Sequence, residues 1–201
     1  MNTSSTILFA SLLAAACGGS STGQLKISLT DAPSDLANVS QVNVTFDEIR
    51  VHDDASTSLP GAGAPDAGAA GDGSDGSGWI VLCTDTKTID LLSLTGGRFA
   101  PLCSRAAADG GIEELPVEVP AGTISQVRLH LLNAQLVFND GTPTADVKVP
   151  SGSTSGLKID VNQSVPKGGT LEIKLDFDAA QSIHKLGNGT YLMQPVIRVL
   201  P

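Results

Sequence analysis

Apolar and polar residues alternate along most of this sequence, and a period of two indicates β-strands. The longest alternating run extends from Ile124 to Phe138, and a shorter one extends from Leu25 to Leu29. In the stretch that begins at Val42, the apolar residues change from even to odd positions near Asp47 and Glu48. This change of face predicts a β-bulge, and a kink is expected in the longest run near Asn133.

Turn residues separate these runs, and helical periodicity is almost absent. Asn139-Asp140-Gly141 has the turn chemistry of a hairpin, and only Ala179 to Leu186 resembles a helical turn. Because aromatic residues make up 3% of the 201 residues, the core must consist mainly of Val, Leu and Ile, a bias that favours strands. The sequence therefore predicts an all-β fold, a Greek-key β-sandwich of about nine to eleven strands, as one domain over residues 24–201.

One segment departs from this pattern. Residues 55–78 consist almost wholly of Ala, Gly, Ser, Pro and Asp. Such a composition cannot bury enough apolar surface to offset the entropy of ordering, so we expect a disordered insertion between two strands. Its GDGSDGSG stretch lacks the ligand spacing and the trailing glutamate of an EF-hand calcium loop.

The N-terminal residues have the features of an export signal. Ile7 to Ala16 is an apolar run that is too short to span a bilayer and suits the hydrophobic region of a signal peptide. Small residues and then Cys17 follow, an order that resembles the bacterial lipobox, whose cysteine is diacylated and becomes the mature N-terminus. Two departures are the position of Leu13, one step further from the cysteine than usual, and the lack of Lys and Arg in MNTSST. We expect residues 1–16 to be removed and residues 17–23 to form a flexible tether; an ordinary cleaved signal with an incidental cysteine is the alternative.

The cysteine count supports export. The chain has three cysteines, so one disulfide in an oxidising compartment would leave the third cysteine unpaired. If Cys17 carries lipid, Cys83 and Cys103 remain as a pair, and we expect them to form a disulfide. A zinc site is the weaker alternative, because neither has a second cysteine or a histidine at ligand spacing.

Charge and the N-terminal signal together restrict the partners. The formal net charge is −9 and the isoelectric point is near 4.6, so no basic stripe is available for nucleic acid. Contact with a membrane must then come from the lipid on Cys17. We expect a lipid-anchored protein of the bacterial cell envelope, with an envelope protein or a polysaccharide as partner. Gly18 is not the aspartate that signals inner-membrane retention in some bacteria, which favours the outer membrane.

The order of several short stretches resembles a known family. Together they are similar to domain-of-unknown-function family 4382, a family of secreted bacterial and archaeal proteins of which many are lipoproteins. The resemblance implies an exported β-domain and supplies no catalytic residue. The stretches are SLTDAP at 28–33, VTFDEIRVH at 44–52, IDLLSL at 89–94, VPAGTISQVRLHL at 119–131, VPSGSTSGLKI at 149–159, LDFDAAQSI at 175–183 and YLMQPVIRV at 191–199.

Three aspartates are candidate calcium ligands. Asp176 and Asp178 flank Phe177 on one predicted strand, so their side chains should share a face with Cα atoms roughly 7 Å apart. With Asp31 after the first strand, they could supply carboxylate oxygens to a cation. The interpretation that we prefer is that Asp176 and Asp178 belong to the solvated face of a strand whose inward residues include Phe177.

The remaining candidates are the histidines and the single tryptophan. His52, His130 and His184 lack the spacing of zinc ligands, and the Gly152–Gly156 stretch has threonine where a Gly-x-Ser-x-Gly hydrolase motif has serine. Trp79 could be exposed as a glycan platform, although we expect it to cover the edge of the core. The sequence thus favours a non-enzymatic interaction or structural module. A metal- or glycan-binding module is the alternative, and an unrecognised hydrolase is a further one.

Overall fold

The computed structural model describes residues 21–32, 36–54, 78–150 and 155–201. The predicted signal peptide, Cys17 and nearly all of the predicted insertion lie outside these residues. Within them the fold is almost entirely β, with one short α-helix and one short 3₁₀ helix, and the predicted all-β sandwich is confirmed.

The described residues form fifteen strands, one 3₁₀ helix and one α-helix. In chain order, they are β1 Thr22–Thr30, β2 Val39–Asp53, β3 Trp79–Cys83, β4 Lys87–Asp90, the 3₁₀ helix Leu91–Leu94, β5 Ala100–Pro101, β6 Ser104–Ala106, β7 Ile112–Glu114, β8 Val117–Pro120, β9 Thr123–Phe138, β10 Ala145–Lys148, β11 Leu157–Ser164, β12 Thr170–Phe177, α1 Ala179–Ser182, β13 Ile183–Lys185, β14 Tyr191–Met193 and β15 Ile197–Leu200.

Two mixed sheets make up the sandwich. The first has the order β15-β12-β1-β5, with β8 also paired to β1. The second has the order β13-β14-β10-β9-β2-β3, with β11 paired to β9 and β4 paired to β2. The pairs β1–β12 and β10–β14 are parallel, whereas the other pairs are antiparallel. Alternation within a strand does not indicate its direction, so the parallel pairs were not predicted.

The core lies between the two sheets and follows the alternation. Leu25, Ile27 and Leu29 of β1 are all at most 3% exposed, and Phe177 of β12 is fully buried. From the second sheet, Phe46 of β2 joins the same cluster. The predicted reliance on aliphatic residues is thus confirmed, because the core cluster has only these two phenylalanines among its fully buried aromatics.

Both predicted irregularities lie on the central strand pair. The register between β2 and β9 shifts between Phe46 and Glu48, where the apolar residues change parity. It shifts again between Thr45 and Phe46, where the partner residue moves from Asn133 to Leu131. The extra residue, Leu132, is exposed by 43%. Bulges therefore bring both halves of each long strand into the same core.

The structure corrects one predicted boundary and the predicted number of strands. Strand β1 begins at Thr22, so the predicted tether ends two residues too late. Gly23 is buried there, because the turn that contains Pro166 and Gly169 packs directly against it. The strand number also exceeds the prediction, because β5, β6, β7, β13 and β14 have only two or three residues each and are too short for alternation to show.

Candidate functional site

Three cations lie side by side on the outer face of the second sheet. Arg50 of β2 is directly opposite Arg128 of β9, and Arg128 is directly opposite Lys158 of β11. The flanking residues in each strand are buried or partly buried, so the three side chains share the face away from the core. Like charges directly opposite one another destabilise a sheet. We call these three residues the cationic row.

Specific contacts hold the two arginines of the row. The Arg50 guanidinium donates from Nη2 to Glu48 Oε2 at 2.9 Å, and its Nε lies 2.5 Å from Glu48 Oε1 in an ion pair. The Arg128 guanidinium lies over the Trp79 ring, 4.1 Å from its centroid. The guanidinium of arginine is flat and stacks on an aromatic face. In a stack its N–H groups point sideways, parallel to the ring. The indole therefore orients Arg128.

His52, Ser125 and Asp54 meet beside Trp79. The imidazole packs edge-on against the indole, with the ring centroids 5.1 Å apart. The Ser125 hydroxyl donates to Asp54 Oδ1 at 2.9 Å and lies 3.0 Å from His52 Nδ1. The same Asp54 oxygen is 3.2 Å from His52 Nδ1. A register shift between His52 and Asp53 turns Asp53 into the core and leaves Asp54 exposed.

This cluster contains the residue types of a hydrolase triad in a different arrangement. In a triad, one imidazole nitrogen contacts the serine and the other contacts the aspartate. Here Nδ1 of His52 contacts both Ser125 and Asp54. Nε2 faces Gly78, where a Cβ atom would lie 2.8 Å away. The arrangement holds His52 in place and does not provide the two-sided proton relay of a triad.

A shallow, open pocket joins the row to this cluster. Its lining is His52, Trp79, Ser125, Gln126, Arg128 and Lys158. The described residues that line it thus include no carboxylate, although the chain has 21 acidic and 12 basic residues. Asp160, on the rim, accepts the Gln126 amide N–H at 2.8 Å. The pocket presents cationic and neutral hydrogen-bonding groups, which suits a polar ligand with negative charge.

The structure brings Asp31, Asp176 and Asp178 to one end of the first sheet, where two of them bind backbone groups. Asp31 Oδ1 accepts the Ala179 N–H at 2.9 Å, and Asp178 Oδ1 accepts the Gln181 N–H at 2.9 Å. Asp31 is 3% exposed and Asp178 is 6% exposed. No cluster of His, Cys, Asp or Glu able to hold a metal ion occurs among the described residues. Calcium at these aspartates stays a prediction.

The preferred interpretation of Asp178 is wrong. It is not on the solvated face of a strand, because β12 ends at Phe177 and Asp178 caps the N-terminus of α1. Asp176 is only partly exposed, and one of its carboxylate oxygens is buried. Burial, with a smaller contribution from the charge of Asp178, raises the pKa of Asp176 against the opposing effect of Arg198.

The other predicted residues have structural roles. The structure joins Cys83, at the end of β3, to Cys103, between β5 and β6, by a disulfide with Cα atoms 5.7 Å apart. His130 is hydrogen-bonded to Asp47 at the predicted bulge. His184 is exposed on β13. His130 is thus half-buried and paired, and His184 lies at the surface.

Comparison with known proteins gives a family match over most of the chain. A model of the family described as Domain of unknown function (DUF4382) matches residues 22–195. The chain belongs to this family. The match begins at Thr22, which is also where β1 begins. No curated protein and no solved structure matches the chain.

The DUF4382 match leaves the N-terminal residues, including Cys17, outside its bounds. In the part of the chain that the structure describes, none of the helices has the length and apolar character needed to cross a membrane.

The cationic row was not predicted from the sequence. Each of its residues looks like an ordinary outward-facing position of its own strand, and Arg50 and Arg128 are far apart in the chain. Only the register of β2, β9 and β11 brings them together. Trp79 was singled out in advance as a possible platform, but Arg128 covers one face of its ring.

Proposed function

We propose that this DUF4382 protein is an exported lipoprotein of the bacterial cell envelope, and that its β-sandwich is a non-enzymatic interaction module. The disulfide between Cys83 and Cys103 is the structural observation that carries the proposal. Disulfides persist in oxidising compartments and are rare in the cytosol. In an exported protein, the apolar run before Cys17 would serve as the hydrophobic region of a signal peptide.

The anchor in this proposal is lipid attached to Cys17. Ile7 to Ala16 would direct export, and cleavage before Cys17 would leave the cysteine as the first residue. Each buried methylene of an acyl chain contributes about 0.8 kcal/mol to membrane binding, and two or more chains together anchor stably. Four residues separate Cys17 from the start of β1 at Thr22, so the sandwich would stand close to the membrane surface, which we propose is that of the outer membrane.

The proposal of binding without catalysis rests on the outer face of the second sheet. The pocket beside Trp79 is open, and its polar side chains point to solvent from a rigid strand pair. Ser125 and Asp54 both contact Nδ1 of His52, so these residues lack the two-sided geometry of a catalytic proton relay. Such a face suits recognition of an envelope polysaccharide or an envelope protein.

Metabolic labelling tests the anchor. Cells that express the wild-type protein are grown with an alkyne-tagged fatty acid, and the purified protein is then probed for the tag. We expect labelling of the wild type and none of Cys17→Ser. The matched control is the Cys83→Ser, Cys103→Ser double variant, which retains Cys17 and should be labelled like the wild type. Equal labelling of wild type and Cys17→Ser would contradict the proposal.

A further inference from the structure

The outer face of the first sheet carries an exposed apolar patch. Phe99, just before β5, is 42% exposed, and Ile112, at the start of β7, is 67% exposed. Both side chains line one open pocket, together with Pro101 of β5. Exposed apolar side chains that lie together on a protein surface mark a site of interaction. We call Phe99, Pro101 and Ile112 the apolar patch.

The hairpin of β6 and β7 holds Ile112 in place over this face. Glu114 of β7 accepts a hydrogen bond from Lys26 Nζ of β1 at 2.8 Å. Just after β7, the Leu115 N–H donates to the Cys103 carbonyl oxygen at 3.0 Å. Ile112 therefore projects from an element that is tied to the sandwich, so little order must be gained when a partner packs against it.

The floor of the pocket is Ser28, which alternates along β1 with the inward-facing Ile27 and Leu29. Ser28 is 4% exposed, and its hydroxyl has no hydrogen-bond partner within the part of the chain that the structure describes. A buried hydroxyl without a partner destabilises a fold, and a polar group that reaches it removes this penalty. The floor thus has the character of a contact that a second molecule completes.

The charges around the apolar patch are matched one to one. Glu114 pairs with Lys26, and Glu172 Oε2 lies 3.6 Å from Lys174 Nζ. Lys174 Nζ also lies 5.5 Å from the centroid of the Phe99 ring. The chain has a formal net charge of −9, so two copies repel one another in general. These two acid–base pairs carry no net charge, which makes this face a place where two copies can meet with little repulsion.

We propose that two copies of this chain form a two-fold symmetric dimer through the apolar patch, with Ile112 of each copy packed against Phe99 of the other. The face is complementary to itself, because it has a projecting apolar side chain, an apolar pocket wall and paired charges of both signs. A two-fold interface requires this property, since the same surface lies on both sides. The inference goes beyond the proposed function and does not depend on lipid at Cys17.

Photo-crosslinking in cells tests whether the partner is a second copy. Cells express two forms of the full-length chain with different epitope tags, and benzoylphenylalanine replaces Phe99 in one form. We expect irradiation to give a product of twice the chain mass that carries both tags. The same probe in place of Leu132, which lies on the second sheet and is 43% exposed, should give none. Ile112→Glu in both forms should reduce the product from position 99 at least tenfold, because a carboxylate would be buried against apolar side chains.

Sedimentation equilibrium of the purified full-length protein measures Kd for the dimer. Detergent micelles are kept in large excess, so that two copies do not share a micelle by chance. Ile112→Glu should raise Kd at least tenfold. Leu132→Glu adds the same charge elsewhere and should change Kd less than about twofold. Added salt should lower Kd or leave it unchanged, because screening weakens the repulsion between copies and preserves the apolar contact. Unaltered melting temperatures of both variants, measured by circular dichroism, show that the changes occur in folded protein.

Several results would each overturn the inference. They are the lack of a doubled product from position 99, an equal product from position 132, an unchanged Kd in Ile112→Glu, and a Kd that rises with added salt. A product with a different protein and no doubled product would assign the apolar patch to another partner and contradict the dimer. A monomer with labelled Cys17 would contradict this inference alone, and a dimer with unlabelled Cys17 would contradict the anchor alone.

Discussion

At the scale of single residues, Gly23 determines how β1 joins the turn that precedes β12. A Cβ atom at Gly23 would lie 2.4 Å from the Pro166 carbonyl oxygen and 2.6 Å from Val165 Cγ1. Because the Pro166 oxygen belongs to the backbone, the clash can be relieved only if the backbone of β1 or of the turn shifts. Overpacking of this kind costs about 1–3 kcal/mol. We therefore predict that Gly23→Ala lowers the free energy of unfolding by that amount in a urea titration.

Gly187 offers the matched control. No heavy atom lies within 4 Å of the Cβ position there, so alanine fits. Gly187→Ala should be neutral or stabilising by less than about 1 kcal/mol, through the reduced entropy of the unfolded chain. Equal free energies of unfolding for Gly23→Ala and Gly187→Ala would contradict the close packing described around Gly23.

Asp176 gives a prediction about pH. Burial raises its pKa above the ordinary value of 3.8, so the folded state holds this proton more tightly than the unfolded chain does. The contribution of Asp176 to stability is therefore greatest at low pH and declines as pH rises through the raised pKa. Asp176→Asn, which stays neutral, should gain stability relative to the wild type between about pH 3 and pH 7.

Urea titrations of both proteins at the two ends of this range measure the difference. If the variant instead lost stability relative to the wild type as pH rises, the charged carboxylate would be stabilising and its environment would differ from that described. Asp31 and Asp178 are not changed in this comparison, so their hydrogen bonds to Ala179 and Gln181 are preserved.

The aspartates also show how far single residues can be predicted. The sequence places Asp176 and Asp178 two positions apart, and an uninterrupted strand would put both on one face. The strand ends at Phe177, and Asp178 caps a helix of four residues. The sequence did indicate a helical turn from Ala179 to Leu186, but a helix of four residues is too short for a periodic pattern to show that the strand ends before Asp178.

At the scale of elements, alternation predicted most strands, the core residues, the bulge near Asp47 and the kink near Asn133. Alternation works here because one face of each strand is buried and the other is polar. It carries no information about which strands are neighbours. The cationic row depends on the register of β2 against β9 and of β9 against β11, and was for that reason invisible in the sequence.

The disulfide should stabilise the segment between β3 and β6. It links residues that are 20 positions apart, and closing a loop of this size in the unfolded chain contributes about 3 kcal/mol. We predict that the Cys83→Ser, Cys103→Ser double variant has a free energy of unfolding lower by about that amount. Cys83 lies on an outer strand of the second sheet, so the central pair β2–β9 should remain folded.

Reductant provides an internal check on this prediction. It should destabilise the wild type in a urea titration and have no effect on the double variant. A wild type that is insensitive to reductant and equal in stability to the double variant would contradict the disulfide, and with it the structural support for export.

At the scale of the whole molecule, the proposed N-terminal lipid would anchor a β-sandwich to the membrane. Two bulged strands, β2 and β9, form the centre of the second sheet, and four residues separate Cys17 from β1. The acidic surface as a whole would be repelled by anionic lipid headgroups. An anchor on Cys17 would overcome that repulsion and leave the outer face of the second sheet available to a partner.

The mass of the mature protein tests the central claim most directly. The protein is extracted from membranes with detergent, and both the intact protein and its N-terminal peptide are analysed by mass spectrometry. The account predicts a chain that begins at Cys17 and carries diacylglycerol on the Cys17 thiol. An N-terminus upstream of Cys17, or an unmodified Cys17 in the membrane fraction, would contradict it.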